Sequence, residues 1–371
     1  MGKYYFTRNP QMKISRIPNF GTFGVYVDDI NMDSMSSDQW QELGELFAKE
    51  LVLIFRNINI NKPQFADWIP KWGPLKADLR MRFRQKYGSD FDATRPDTWT
   101  GIDQEDRNWL EGRAPILEET GDGRFLTRIY GRKDGQGRAQ GYFSHGEVHW
   151  HANESSSLTF SPAVALLGWE SMETSATCFL QTVDLYESLS ESFRSELNEM
   201  VLVHKYIPGR MNENEFTDPM LALHMKMAFC PVDGAETPLI CTAPNGRRGL
   251  RYTVNSCASI KGMSEDDTQK LFDTLDKLVF DEKWTYNHWY QAGRRDMCCF
   301  DNSVTLHKRL GGLEDRKGFR MQFDLSPVID HTWTPWQHMP EYHTLYTKQM
   351  KDLVNVYGGD VKERVKVPEL A

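Results

Sequence analysis

Apolar residues along the 371-residue chain recur at two spacings. Phe23, Val25 and Val27 alternate with Gly24 and Tyr26, the period of two that marks a half-buried strand. Ser36-Ser37-Asp38 then offers a helix cap ahead of Trp40, Leu43, Leu46 and Phe47, which follow helical spacing. Residues 51–55 (LVLIF) form a short continuous apolar run and predict a buried strand. Residues 65–72 predict a second helix, closed by Gly73-Pro74.

Residues 76–141 have a different texture. They are rich in Arg, Asp and Gly, and the apolar stretch at 125–130 stands nearly alone. Such a segment buries little by itself, so it reads as an excursion or lid on a single domain spanning 1–371. From Val148 the β pattern returns, with strands expected at 163–169 and 176–182. One helix is expected from Asp184, with Leu185, Leu189, Phe193 and Leu197 on one face. Another starts at the Ser264 cap and runs through Leu271, Phe272, Leu275, Leu278 and Val279. Residues 297–300 and 319–323 read as late strands, and 340–357 as a helix. The sum is a mainly β chain with decorating helices, and its strands lie far apart in sequence.

Composition narrows the function classes. Lys and Arg number 44 against 52 Asp and Glu, a net charge of −8, which disfavours a broad nucleic-acid-binding surface. Eleven Trp, 14 Tyr and 20 Phe demand a packed core rather than disorder. The longest apolar runs fall short of the ~18 residues of a membrane helix, and MGKYYFTRNP lacks the pattern of a secretory leader. Six cysteines occur without a C-x-x-C pair, so buried free thiols in a cytoplasmic protein are expected. Adjacent Cys298 and Cys299 would face opposite sides of a strand. Oligomeric state is left open, a homo-oligomer included.

Two clusters could carry chemistry. Val148-His149-Trp150-His151-Ala152-Asn153-Glu154 concentrates metal-capable side chains; on a regular strand 149, 151 and 153 share one face. Two imidazoles two residues apart can reach one ion, although on this cluster alone a chance His pair beside a buried Trp is the commoner reading. The second cluster runs from Asp301-Asn302 through His307 and Arg309 to Arg316 and Arg320. Arg316 and Arg320 are an even number of residues apart, so on a strand they point the same way. Inward guanidinium groups are costly without anions, and their planar fork suits a carboxylate.

Taken together, the clusters resemble the taurine dioxygenase family of non-haem Fe(II), 2-oxoglutarate-dependent oxygenases. Trp150-His151-Ala152-Asn153 stands where that family has Trp-His-x-Asp. Asp301, Asn302, His307 and Arg309 match its Asp-Asn-x-x-x-x-His-x-Arg segment, and Arg316 and Arg320 its Arg-x-x-x-Arg. Ser175-Ala176-Thr177 echoes a Gly-Asp-Thr strand, FGVYVDDINM and LVLIFRNINI match the family's start, and APNGRRGLRYTVN resembles its Gly-Arg turn. The resemblance spans about residues 14–330.

The resemblance implies a double-stranded β-helix, or jelly-roll, core. It implies Fe(II) and 2-oxoglutarate as cofactors, and O₂ and a small molecule as substrates. By the match His151 and His307 are iron ligands. Arg316 binds the distal carboxylate of 2-oxoglutarate with help from Thr177, and Arg320 assists or grips an anionic substrate. The departure is Asn153, a neutral amide where the family has a ligand Asp. Asn153 itself or water is the first expectation for the third donor, His149 the alternative, and Glu154 requires a bulge. Hydroxylation is the leading outcome. The rivals are a radical halogenase or other atypical iron oxygenase, and a non-catalytic binding protein with the same fold.

Overall fold

This computed structural model describes residues 12–72, 148–153, 163–204, 235–243, 245–254, 256–311 and 315–323, with short pieces between 87 and 141. The expected helix at 340–357, Cys230 and Glu154 lie outside the described residues.

Strands β1 (Lys13–Arg16) and β2 (Val25–Asp28) pair antiparallel. Ser36 caps α1 (Ser37–Glu50): its hydroxyl accepts from Gln39 N, and the Gln39 side chain returns to Ser36 N. Strand β3 (Val52–Phe55) follows at once and is buried at every position. Helix α2 (Lys62–Trp72) starts three residues before the expected position, because Asn61 Oδ1 accepts from Gln64 N at 2.8 Å and caps it there. Strands β4 (Leu117–Glu119) and β5 (Phe125–Arg128) come from the excursion. Through β5 they extend the largest sheet, so this part of 76–141 is sheet edge rather than cover.

Next come β6 (Val148–His151), β7 (Ala163–Glu170) and β8 (Ser175–Leu180). The single helix expected from Asp184 is two: α3 (Thr182–Ser188) and α4 (Glu191–Asn198). Ser190 breaks it by capping the second, its Oγ accepting from Phe193 N. A small β region follows, with β9 (Val201–His204), β10 (Ala235–Pro238), β11 (Ile240–Thr242), β12 (Arg248–Leu250) and β13 (Cys257–Ile260). Helix α5 (Glu265–Val279) starts at its Ser264 cap. The described chain ends with β14 (Thr285–Trp289), β15 (Met297–Asp301), β16 (His307–Gly311) and β17 (Lys317–Phe323).

Two sheets dominate. The larger has the order β1-β2-β3-β15-β7-β17-β5-β4 and the smaller β14-β8-β16-β6. Strands distant in sequence sit side by side, as β3, β15, β7 and β17 show. Alternation sorts the side chains into layers. From the large sheet Leu53, Phe55, Cys299, Leu167 and Phe323 pack with Phe47 of α1 and Trp72 of α2. Ile54, Cys298, Phe300 and Val164 point the other way and meet Phe179 of the small sheet. Ala176, Cys178 and Leu180 on the outer face of the small sheet meet Leu185, Phe272 and Leu275 from α3 and α5. Cys298 and Cys299 do part to opposite faces, and the five described cysteines are buried and free. The fold is mainly β with decorating helices, and one end of the space between its two sheets stays open.

Candidate active site

That opening is a cleft between the sheets. The small sheet contributes His151, Thr177, His307 and Arg309 to it, and the large sheet Arg320, with Arg316 just before β17. Asn153 lies beyond the end of β6 and also lines the cleft. Two clusters separated by half the chain thus meet at one place.

The meeting is a cross-strand contact. His151 and His307 are directly opposite in the β6–β16 ladder, and their rings lie 4.1 Å apart, centre to centre. His151 Nδ1 is 2.8 Å from the His149 carbonyl. A carbonyl only accepts, so Nδ1 carries the proton and Nε2 keeps its lone pair. His307 packs against Phe300, and its Nδ1 is buried without a protein partner. Burial is the main force on both imidazoles and favours the neutral form. It pushes His151 down to about 4, with Arg320 and Arg309 acting the same way. His307 falls well below its ordinary value, through burial and then through His151 and Arg320. Both rings are neutral lone-pair donors at neutral pH.

Asn153 is 4 % exposed and its Nδ2 is buried without a partner. Its backbone is gripped by Asn302, whose Oδ1 accepts from Asn153 N at 2.8 Å and whose Nδ2 donates to Asn153 O at 2.9 Å. Asn302 belongs to a turn built by Asp301, whose Oδ1 accepts from Ser303 N, Ser303 Oγ and Val304 N. Fully buried Arg251 closes the turn from outside, donating to the Asn302 and Ser303 carbonyls at 2.8 and 3.1 Å. Burial raises the Asp301 carboxyl to about 6, against the pull of those hydrogen bonds and of Arg251. The turn delivers the chain to His307.

Of the three residues expected on one face, His151 and Asn153 share the cleft and His149 does not. Strand β6 ends at His151, and the ladder shifts register between His307 and Arg309. Val148 and His151 line the cleft, Trp150 enters the core behind, and His149 is exposed outside the cleft lining. His149 meets the site only through its carbonyl. Among the described residues no three His, Cys, Asp or Glu side chains group to hold a metal, and no Asp or Glu lines the cleft.

Arg316 and Arg320 both line the cleft, Arg316 from just before β17 and Arg320 from within it. Arg316 is 1 % exposed; Arg320 sits opposite Leu166 and Thr127. Thr177 faces Arg309 in the β8–β16 ladder, and its Oγ1 is 2.9 Å from the Tyr290 hydroxyl. Sequence reasoning overlooked Tyr290, Arg251 and the grip of Asn302. An Asn or Tyr carries no spacing rule, and only the Asp-Asn pair ahead of His307 pointed to the turn.

The family described as taurine catabolism dioxygenase TauD, TfdA family matches residues 14–322. The chain belongs to that family. A taurine dioxygenase from Burkholderia xenovorans shares its fold at 15 % identity, over 85 % of this chain and 89 % of its own, with a TM-score of 0.57. AAD-2, solved with Mn(II) and N-oxalylglycine, does so at 16 % identity, over 84 % of this chain and 96 % of its own, with a TM-score of 0.53. No curated protein matches the chain by sequence. Like others of the TauD and TfdA family, this enzyme is an Fe(II)/2-oxoglutarate-dependent dioxygenase, and its core is the jelly roll.

The residues present fit those groups. Two neutral imidazoles converge, one with Nδ1 turned to a backbone carbonyl and one with an unpartnered buried nitrogen. A dicarboxylate would meet guanidinium groups in a cleft that no Asp or Glu lines among the described residues. The departure lies at position 153, where the cleft presents a neutral amide.

Proposed function

We propose that this chain oxidises a small organic molecule, most simply by hydroxylation, while 2-oxoglutarate and O₂ become succinate and CO₂. The observation that carries this reading is the His151–His307 cross-strand pair, which opens with Asn153 and Arg316 onto one cleft. His151, His307 and the Asn153 amide oxygen would hold Fe(II). Arg316 would bind the distal carboxylate of 2-oxoglutarate, with Thr177 adding a hydroxyl. Arg320 would assist it or grip an anionic substrate group. Bound iron and cosubstrate supply the oxidising power. The chain supplies placement: Asn302 fixes Asn153, and Leu166 and Met172 form apolar wall that limits water. The acidic net charge and the buried free cysteines support a cytoplasmic setting and a partner that is neither nucleic acid nor membrane. Among the described residues no helix is long and apolar enough to cross a membrane.

Anaerobic addition of Fe(II) and 2-oxoglutarate tests this reading. A visible charge-transfer band, followed by succinate release on admitting O₂, is the expected result. Absence of both band and cosubstrate binding would overturn it in favour of a binding protein. Product formation that depends on chloride would replace hydroxylation by halogenation.

A further inference from the structure

Tyr290 follows the end of β14 and is 4 % exposed, yet it lines the same cleft as Thr177 and Arg316. Its hydroxyl is 2.9 Å from Thr177 Oγ1 and 3.7 Å from Cys298 Sγ. The ring lies against Gly168 of β7, where an added Cβ would come within 2.8 Å of two ring carbons. His288 packs against it edge to face, 5.1 Å between ring centres, and is itself anchored to Asp296 at 3.0 Å. The ring is therefore held against β7 and His288, with its hydroxyl within reach of Thr177 and Cys298.

The direction of the Thr177–Tyr290 bond follows from acidity. A phenol O–H is a better donor than an aliphatic hydroxyl, and the aliphatic oxygen is the better acceptor. Burial keeps both the Tyr290 phenol and the Cys298 thiol protonated. The thiol can give its hydrogen to the phenol oxygen, the phenol gives its own to Thr177 Oγ1, and the Thr177 hydrogen is left to point elsewhere. Each bond in such a chain polarises the next.

We propose that Tyr290 is a positioning residue for the cosubstrate: by donating to Thr177 it aims the Thr177 hydroxyl at the distal carboxylate that Arg316 binds. This rests on the function proposed above. A carboxylate is acceptor-only, so a threonine hydroxyl already turned outward meets it without rotor entropy to lose. Tyr290 thus acts on the recognition of the far end of the cosubstrate and leaves its keto-acid end alone.

Binding to the anaerobic Fe(II) protein tests this, read from the charge-transfer band with 2-oxoglutarate and with pyruvate, which lacks the distal carboxylate. Tyr290→Phe should weaken 2-oxoglutarate by about tenfold, the scale of one hydrogen bond to a charged group, and leave pyruvate unchanged. Thr177→Val should lose at least as much, Thr177→Ser should retain wild-type affinity, and the double variant Tyr290→Phe/Thr177→Val should be no weaker than Thr177→Val alone. Wild-type protein that fails to bind 2-oxoglutarate overturns both this proposal and the function it rests on. Wild-type binding with an unchanged Tyr290→Phe overturns this proposal alone. So does a Tyr290→Phe variant that loses both keto acids equally, or additive loss in the double variant.

Discussion

Asn302 holds Asn153 by both hydrogen-bonding groups of its backbone, although 149 residues separate them in sequence. The amide side chain accepts from one peptide N–H and donates to one peptide carbonyl, a two-point contact that fixes position and rotation together. Asn153 is therefore placed from the far side of the site, by the turn that also delivers His307.

Asn302→Ala should strip that contact and leave both Asn153 backbone groups buried without it, at about 1–3 kcal/mol for each. A lower melting temperature and weaker Fe(II) binding are expected together. Thermal denaturation and metal titration of the same variant check this. Unaltered metal affinity in a destabilised protein would make the contact purely architectural.

Asn153→Asp should raise Fe(II) affinity, because it replaces a neutral donor by an anion beside two neutral imidazoles. The cleft supports the sign: Lys308, Arg309, Arg316 and Arg320 line it, and no acid does among the described residues. Asn153→Ala should bind Fe(II) nearly as well as wild type if water is the working third donor, and clearly less well if the amide oxygen is. Exposed His149 predicts little effect in His149→Ala, whereas His307→Ala should abolish tight binding. Equilibrium titrations across the four variants, with and without chloride, separate these cases.

Arg316 is almost fully buried. Losing one partner of a buried charge pair costs about 3–5 kcal/mol, so Arg316→Ala should weaken 2-oxoglutarate by two orders of magnitude or more. Arg320 is more accessible, and Arg320→Ala should hurt the organic substrate at least as much as the cosubstrate. Binding and steady-state constants for both ligands decide the division of labour. Loss of 2-oxoglutarate binding in Arg320→Ala alone would reverse the two roles.

His204, fully buried on β9, hydrogen-bonds Ser256 Oγ through Nδ1 at 3.0 Å and Thr237 Oγ1 through Nε2 at 2.7 Å. Burial, then Arg251, pushes it down to about 3. Unfolded, the same ring takes its proton near pH 6.5. Above that pH the two states bind protons alike. Below it only the unfolded chain gains one, so stability falls with pH until about 3, by up to ~1.4 kcal/mol per unit. By pH 5 this amounts to about 2 kcal/mol. His204→Asn should be less stable at pH 7 but lose less on acidification; urea denaturation at pH 7 and pH 5 measures both. An equally steep acid limb in the variant would place the titration elsewhere.

The local order of this molecule is legible from the chain alone. Ser36 and Ser264 start helices where their caps stand, because a side-chain oxygen three residues ahead of a free N–H needs no tertiary help. The run at 51–55 becomes an interior strand because its apolar faces leave it nowhere else to go. Cys298 and Cys299 part to opposite faces because alternation belongs to the strand itself. What local rules could not supply is contact between distant strands. The His151–His307 register comes from long-range pairing, and the ladder's shift beside it is what sends His149 outward and leaves Asn153 to the grip of Asn302. Ser190 split an expected helix because a cap competed with an unbroken apolar stripe. Tyr290 gained its place only when β14, β8 and β15 came together, since a hydroxyl's partner is chosen by three-dimensional neighbours and not by spacing along the chain.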